Sequence, residues 1–329
     1  MLLEMLMLMG GLALIVRGGG FFVAAAIRLA EFLRMPRVVI GSTLVSLATT
    51  TPELVVSIMA GLRGESGLAV GNAVGSCICN IGLILGVTAS LRQVEVHFRV
   101  LRTPLIAMVG VGVLLSLMTV DLSLARWQGA VLLAGGVAYF VWDFGHHWRE
   151  RKPAAVAEAT AIKKEKSAAD WAWVKTRTGT VVQFVAGALV VVAGSKLLVD
   201  GAVGLAGRLG VSSMVIGLTV VAVGTSLPEL VTAVTSSRQS VSDLAVGNVL
   251  GANIANLTLI VGTATWIQSV DLDRLTQLFN FPALLAMMAL LCWMLWTDRR
   301  VTRREGAILL VVYGVYLAAL VGITIAAAG

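Results

Sequence analysis

Charge is scarce in this chain and unevenly spread. Only 13% of its 329 residues are Asp, Glu, Lys or Arg, against about a quarter in an ordinary soluble domain. Cysteine and histidine are nearly missing, with three of each. Cys77, Cys79 and Cys292 all fall in apolar segments, which excludes a disulfide framework. Cys77 and Cys79 are two apart on a helix and are expected to point to different faces, off any polar site; paired helical metal ligands want i, i+3 or i, i+4 spacing. His97, His146 and His147 lie near the ends of apolar runs and read as solvated loop residues. No nucleophile with its base, no metal triad and no phosphate-binding loop is present. Long polar stretches are also missing, with one exception at 146–178, HHWRERKPAAVAEATAIKKEKSAADWAWVKTRT. It is too short to fold as a domain and is read as a linker between 1–145 and 179–329.

What is abundant is apolar sequence. The chain is 58% hydrophobic, with a mean hydropathy of +0.91. Apolar runs fall at approximately 2–27, 38–61, 67–88, 103–120, 127–145, 180–205, 211–236, 243–266, 276–296 and 305–327. Each is long enough to cross a bilayer, which takes about 20 residues. The expected fold class is therefore an all-α integral membrane protein of ten transmembrane helices. The first run, MLLEMLMLMGGLALIV, has no basic flank and reads as a first span rather than a cleaved signal peptide.

Lys and Arg are partitioned. The loops after runs 1, 3, 5, 7 and 9 hold 19 of them, the opposite loops hold four, and Arg17 and Lys196 lie within runs. This bias puts the linker in the cytoplasm and both termini outside the cell's inner (plasma) membrane. The net charge of +7 is thus a topology signal, and no nucleic-acid partner is expected. The sequence does not indicate the oligomeric state.

The chain also repeats itself. Shifted by 176 residues, 41–86 lies on 217–262 without a gap, and 20 of 46 positions are identical. Pro52-Glu53 falls on Pro228-Glu229, Gly71-Asn72 on Gly247-Asn248, and Asn80 on Asn256. Five spans separate the copies. Five is odd, so the second copy must run through the membrane upside down. Two inverted five-helix repeats are expected, an architecture in which substrate sites lie near the midplane.

The repeated segments carry chemistry. In ATTTPEL at 48–54, Pro52 has no N–H and its ring clashes with the Ala48 carbonyl; in GTSLPEL at 224–230, Pro228 does the same to Gly224. Helices 2 and 7 are therefore expected to be broken by proline. A freed carbonyl in hydrocarbon needs a substitute partner, and a cation is one. Glu53 and Glu229 follow directly, mid-span, where an ionised carboxylate costs about 2.5–3.5 kcal/mol. No basic residue shares those segments, although Arg17 and Lys196 remain distant candidates. Thr49, Thr50, Thr225 and Ser226 add hydroxyl oxygens. Asn72, Ser76 and Asn80 follow one helical face, matched by Asn248, Ala252 and Asn256. Asn72 and Asn248 read either as helix-bridging amides or as ligands; Asn80 and Asn256 read as ion contacts. A donor set made only of oxygen favours Na⁺, Ca²⁺ or Mg²⁺ over Zn²⁺ or Cu⁺, and of these Mg²⁺ is disfavoured because it sheds its water reluctantly. Two carboxylates match one Ca²⁺, or two monovalent cations or protons.

These segments resemble the α-repeats of the calcium/cation antiporter superfamily, in its bacterial and archaeal sodium/calcium exchanger-like branch. The family's G-T-S-L-P-E stands intact at 224–229 and as Ala-Thr-Thr-Thr-Pro-Glu at 48–53, and its G-N-x-x-G-S-N-I-x-N pattern appears as GNAVGSCICN at 71–80 and GNVLGANIAN at 247–256. The resemblance implies a secondary active antiporter that exchanges Ca²⁺ for Na⁺ by alternating access, with no cofactor. It implies Glu53 and Glu229 as the main calcium ligands, with Asn80 and Asn256 completing a diamond. Thr49, Thr50, Ser76, Thr225 and Ser226 would line the ion sites, with carbonyls near Ser46 and Ala222 contributing. Helices 1 and 6 would be the pair that slides across the core. The chain departs from the pattern at three positions. Asn256 stands where many relatives carry Asp, Ala252 replaces a hydroxyl, and Cys77 replaces an Asn. Less negative charge makes exchange of Ca²⁺ for H⁺, through the same two carboxylates, the alternative, since a low-dielectric setting raises a carboxylate's proton affinity. An ion channel and a membrane enzyme using the two carboxylates are the readings from other classes.

Overall fold

A computed structural model describes residues 2–33, 40–95, 98–149, 176–210, 213–238, 242–298 and 300–328. Most of the expected linker lies outside the described residues. The described chain is overwhelmingly helical, because in hydrocarbon each backbone N–H and C=O must find its partner within the segment.

Helix α1 (Leu2–Leu33) opens the chain. A broken element follows: a π-helical turn Ile40–Val45, then α2 (Ser46–Thr49) and α3 (Thr51–Leu62). Next come α4 (Ser66–Cys79), a π-helical turn Asn80–Leu85 and α5 (Gly86–Leu91), then α6 (Phe98–Met118) and α7 (Arg126–Arg149). After the linker, the order starts again with α8 (Arg177–Leu209), then α9 (Ser213–Ile216), a π-helical turn Gly217–Val221, α10 (Ala222–Thr225) and α11 (Leu227–Arg238). The chain continues through α12 (Ser242–Ala255), a π-helical turn Asn256–Ile260 and α13 (Val261–Ile267). A further π-helical turn, Thr276–Asn280, leads into α14 (Phe281–Asp298), and α15 (Arg303–Ala328) closes the chain. The bounds of α2, α3 and α4 recur 176 residues on in α10, α11 and α12.

Among the described residues, six helices are long and apolar enough to cross a membrane: Ser66–Leu91, Leu101–Met118, Arg177–Leu205, Ala245–Ile267, Thr276–Thr297 and Arg303–Ala326. A seventh arises if Gly41–Thr49 and Thr51–Leu62, bent by 48°, form one broken span. The other three expected spans fall on α1, α7 and the broken series α9 to α11.

Two sequence expectations are amended. The fold is not purely helical. Strand β1 (Val94–Glu95) pairs antiparallel with β4 (Arg300–Val301), and β2 (Ser123–Leu124) with β3 (Val270–Asp271). These two-residue ladders link loops distant in sequence, where helix ends leave backbone groups needing partners. The helix breaks also fall upstream of the prolines, at Thr50 (φ −78°, ψ 0°) and Ser226 (φ −82°, ψ 6°). Pro52 occupies the first turn of α3, where a missing N–H costs nothing. The ring's clash with the preceding turn is what displaces the break.

The interior is tightest where the two copies cross. A Cβ on Gly75 would sit 2.6 Å from the Leu218 carbonyl oxygen, and one on Gly251 would collide with the Ser42 carbonyl. These are equivalent contacts, since 75 and 218 shift onto 251 and 42. Helix α1 packs on α8 in the same manner, through Gly11, Gly194 and Gly201; a Cβ on Gly11 would meet the Leu198 nitrogen at 2.6 Å. Close backbone approach through small residues is how helices associate without a hydrophobic driving force. Replacing Gly75 or Gly251 with Ala is expected to destabilise the protein by about 1–3 kcal/mol, read as a lower melting temperature in detergent. Gly110→Ala, with nothing within 4 Å of the added carbon, is expected to leave it unchanged.

Candidate functional site

The two broken elements bring their carboxylates to the interior. Glu53 lies in the first turn of α3 and Glu229 in the first turn of α11. Both are fully buried, at 0% exposure. The placement follows from the break, since each Glu stands three residues past a kinked position in an otherwise apolar run. A helix N-terminus carries partial positive charge from its unsatisfied N–H groups, which suits a carboxylate. Neither Glu makes an ion pair with a described residue. Arg17 and Lys196 have exposed side chains and do not serve as their counter-charges.

The two halves interlock across this region. Ser226 Oγ donates to Glu53 Oε1 at 3.0 Å. Thr225 Oγ1 sits 3.1 Å from Asn72 Oδ1, and its counterpart Thr49 Oγ1 sits 3.2 Å from Asn248 Oδ1. Each hydroxyl of one half is thus held by the amide of the other. Asn72 also donates through Nδ2 to the Glu53 carbonyl at 3.3 Å and to Ser57 Oγ at 3.2 Å. Asn72 thus bridges the two halves.

A set of oxygens in the same region has no hydrogen-bond partner. Glu53 Oε2, both carboxylate oxygens of Glu229, Asn80 Oδ1, Asn256 Oδ1 and Ser76 Oγ are all buried and unpartnered. Buried polar groups are almost always satisfied, and leaving one unmade costs roughly 1–3 kcal/mol. Six such oxygens, drawn from four segments in matched positions, form a surface that lacks its partner. Carboxylate, amide and hydroxyl oxygens are the donors hard cations take.

Other expected residues are engaged differently. The Ser46 carbonyl accepts from Thr50 N at 2.9 Å, from Thr49 Oγ1 at 3.3 Å and from the Thr50 hydroxyl. The Ala222 carbonyl accepts from Ser226 N at 3.1 Å and Thr225 Oγ1 at 3.4 Å. Ser46, Thr50 and Ala222 therefore close hydrogen bonds within their own helical turns. Ser46 Oγ likewise turns back on the Ser42 carbonyl at 2.9 Å.

Three features escaped the sequence reading. Asn253 bridges the halves, accepting from Asn80 Nδ2 at 2.9 Å and reaching the Cys77 carbonyl with its own Nδ2 at 3.5 Å. Cys77 is not off the site face: it is fully buried, and its Sγ lies 3.6 Å from the Asn253 carbonyl. Its i, i+3 spacing to Asn80, and the 176-residue shift that sets it opposite Asn253, were the available signals. Third, π-helical turns begin at Asn80 and at Asn256. Such turns insert an extra residue and gather at functional sites, and no residue pattern announced them. A further buried acid, Asp143, is met by Ser42 Oγ at 3.3 Å and stands on α7, apart from the two glutamates in sequence and element.

The family model described as "Sodium/calcium exchanger protein" matches residues 3–144 and 179–322. The chain belongs to that family. It is 34% identical over 316 residues to a protein named "Putative antiporter CaxA" of Alkalimonas amylolytica, covering 95% of this chain and 97% of the relative. It is 30% identical over 347 residues to "Sodium/calcium exchanger MaX1" of Methanosarcina acetivorans, covering 96% and 97%. The solved sodium/calcium exchanger of Methanococcus jannaschii superposes with a TM-score of 0.69 at 27% identity, over 96% of this chain and 98% of that one. This is a family of transporters and not of enzymes, so the acid–base enzyme reading falls. The described architecture, helical and rich in apolar spans, is that of a multi-pass membrane protein of this family.

Asn72→Ala would strip partners from Thr225, Ser57 and the Glu53 carbonyl at once. A loss of about 1–3 kcal/mol is expected for the buried groups left unpaired, measurable as earlier thermal unfolding. Thr49→Val, which removes one hydroxyl and its contacts to Asn248 Oδ1 and the Ser46 carbonyl, is expected to cost less, because the Ser46 carbonyl keeps other donors.

Proposed function

We propose that the protein is a secondary active antiporter exchanging Ca²⁺ for Na⁺ by alternating access, with the Ca²⁺ ion held between Glu53 and Glu229. The observation that carries this reading is the set of buried, unpartnered oxygens contributed by both copies of the repeat. Two ionised carboxylates supply a formal charge of −2, which a single Ca²⁺ neutralises. Asn80 and Asn256 offer amide oxygens on either side, and Ser76 a hydroxyl. Ser226, already on Glu53, and Thr49 and Thr225, fixed by the opposing amides, orient the site rather than close it.

Alternating access calls for two similar halves in opposite orientation. The odd number of spans between the copies argues for inversion, and ten crossings preserve the parity of the basic loops. The reciprocal contacts, Thr49 with Asn248 and Thr225 with Asn72, support a twofold relation between the halves. So does the recurrence of element bounds at one fixed shift. The charge bias then sets the linker in the cytoplasm and both termini outside, in the inner membrane. A passive channel needs no such exchange of roles between halves.

Exchange of Ca²⁺ for H⁺ is the second reading. It is favoured by Asn256, an amide that leaves the unpartnered oxygens with only two carboxylates, each able to take one proton in place of half a calcium ion. Radioactive Ca²⁺ uptake into proteoliposomes, with Na⁺ and pH gradients imposed separately, distinguishes the two. Uptake driven by the Na⁺ gradient is expected; uptake driven only by the pH gradient selects the second reading, and uptake by neither overturns both. Glu53→Gln and Glu229→Gln are each expected to abolish flux while the variants elute normally on gel filtration.

Asn256→Asp adds a third carboxylate among the unpartnered oxygens. Because calcium affinity is tuned by ligand charge, binding about tenfold tighter, or about 1.4 kcal/mol, is expected by calorimetric titration of the purified protein. Unchanged affinity would place Asn256 outside the ion's coordination sphere.

A further inference from the structure

We propose that the end of the molecule where β1 pairs with β4 is a binding surface for the headgroup of an anionic phospholipid. The ladder joins two loops far apart in sequence, with Val94 opposite Val301 and Glu95 opposite Arg300. Arg92, Arg102, Arg300, Arg303 and Arg304 stand around it, all exposed. Helix α15 lies so close to α5 that a Cβ on Gly306 would sit 2.7 Å from the Ser90 nitrogen and 2.8 Å from the Gly86 carbonyl oxygen. Arg303 and Arg304, in the first turn of α15, are thereby brought to the end of α5 where Arg92 stands. None of the five guanidinium groups forms a hydrogen bond or ion pair with a described residue.

One nearby acid is already engaged. Glu305 is turned back on its own helix start, accepting from Thr302 N at 2.7 Å and from Thr302 Oγ1 at 2.8 Å. Glu95 stands opposite one arginine in the ladder register, and Asp298 ends α14. Five exposed guanidinium groups on adjoining segments, none paired with a described residue, make a basic surface that an anion would neutralise. The planar fork of arginine suits a phosphate diester in particular.

The depth of the surface favours a lipid over a free anion. Trp293 and Trp296, in the last turns of α14 leading into β4, are 59% and 77% exposed. Exposed tryptophans mark the level where acyl chains give way to headgroups. A topology signal requires only that basic residues be present in a loop. It does not require loops from opposite halves of the chain to be stitched together by paired backbone. The other ladder, β2 with β3, is flanked instead by Asp121, Asp271 and Asp273 alongside Arg126 and Arg274, and offers no matching basic surface.

The test uses the purified full chain in mixed micelles, titrated with phosphatidylglycerol, with phosphatidylcholine and with inorganic phosphate. Thermal unfolding reports binding. Phosphatidylglycerol is expected to raise the melting temperature saturably while the other two do not. In the variant Arg92→Gln/Arg303→Gln/Arg304→Gln, the apparent affinity is expected to fall about tenfold or more as charge-assisted contacts are lost. Arg126→Gln/Arg274→Gln, at the opposite ladder, is expected to behave as the parent. If the triple variant does not fold, the three single variants are compared, and full retention of affinity by all three overturns the proposal. Equal stabilisation by phosphatidylcholine overturns it as well. An equal shift with inorganic phosphate overturns the lipid assignment in favour of a free-anion site.

Discussion

Two carboxylates buried in a medium that cannot solvate them are the constraint from which the rest of this structure follows. Glu53 and Glu229 are fully enclosed, and no basic side chain among the described residues pairs with them. A low dielectric makes an uncompensated charge expensive, so the surroundings must either carry partners or leave room for one. The structure does both. Ser226 takes one oxygen of Glu53, and the remaining carboxylate oxygens stay open beside amides and a hydroxyl that are open too.

The two halves divide the work of building that arrangement. Backbone breaks at Thr50 and Ser226 put each glutamate at the start of a new helix. Glycines at 75 and 251 let the crossing elements approach to backbone contact. Asn72 and Asn248 then hold the hydroxyls of the opposite half. The glycine contacts and the Thr–Asn contacts occur in matched pairs, so each half supplies partners to the other. Asn72 and Asn248 bridge the halves while the oxygens of Asn80 and Asn256 stay unpartnered, although all four are equally buried.

The equivalence is not perfect, and its defects are informative. Cys77 and Asn253 occupy matched positions, yet only Asn253 carries an amide oxygen, and it accepts from Asn80 Nδ2 across the two copies. One amide of the Asn80 and Asn256 pair is therefore tethered while the other has neither polar atom engaged. The basic surface at the β1–β4 ladder likewise has no equivalent at the other. Two ladders joining the same two halves thus differ in chemistry.

Much of this was legible in the residues themselves. Apolar run lengths marked the helices, six of which are long and apolar enough to cross a bilayer among the described residues. The internal repeat marked Glu53 and Glu229 as a pair, because a mid-span carboxylate is costly and here recurs at one fixed shift. Asn80 and Asn256 were visible for the same reason. What the residues could not disclose was which oxygens would be left free. Ser46, Thr50 and Ala222 also make hydrogen bonds within their own turns, whereas Cys77 looked off the polar face and stands against the opposite half. The π-helical turns at Asn80 and Asn256 and the strand ladders were equally silent. Composition and spacing decide what a bilayer will admit and which residues recur. The contacts that join the halves are decided when segments 150 to 200 residues apart meet, because a polar group's role depends on whether a neighbour has already claimed it.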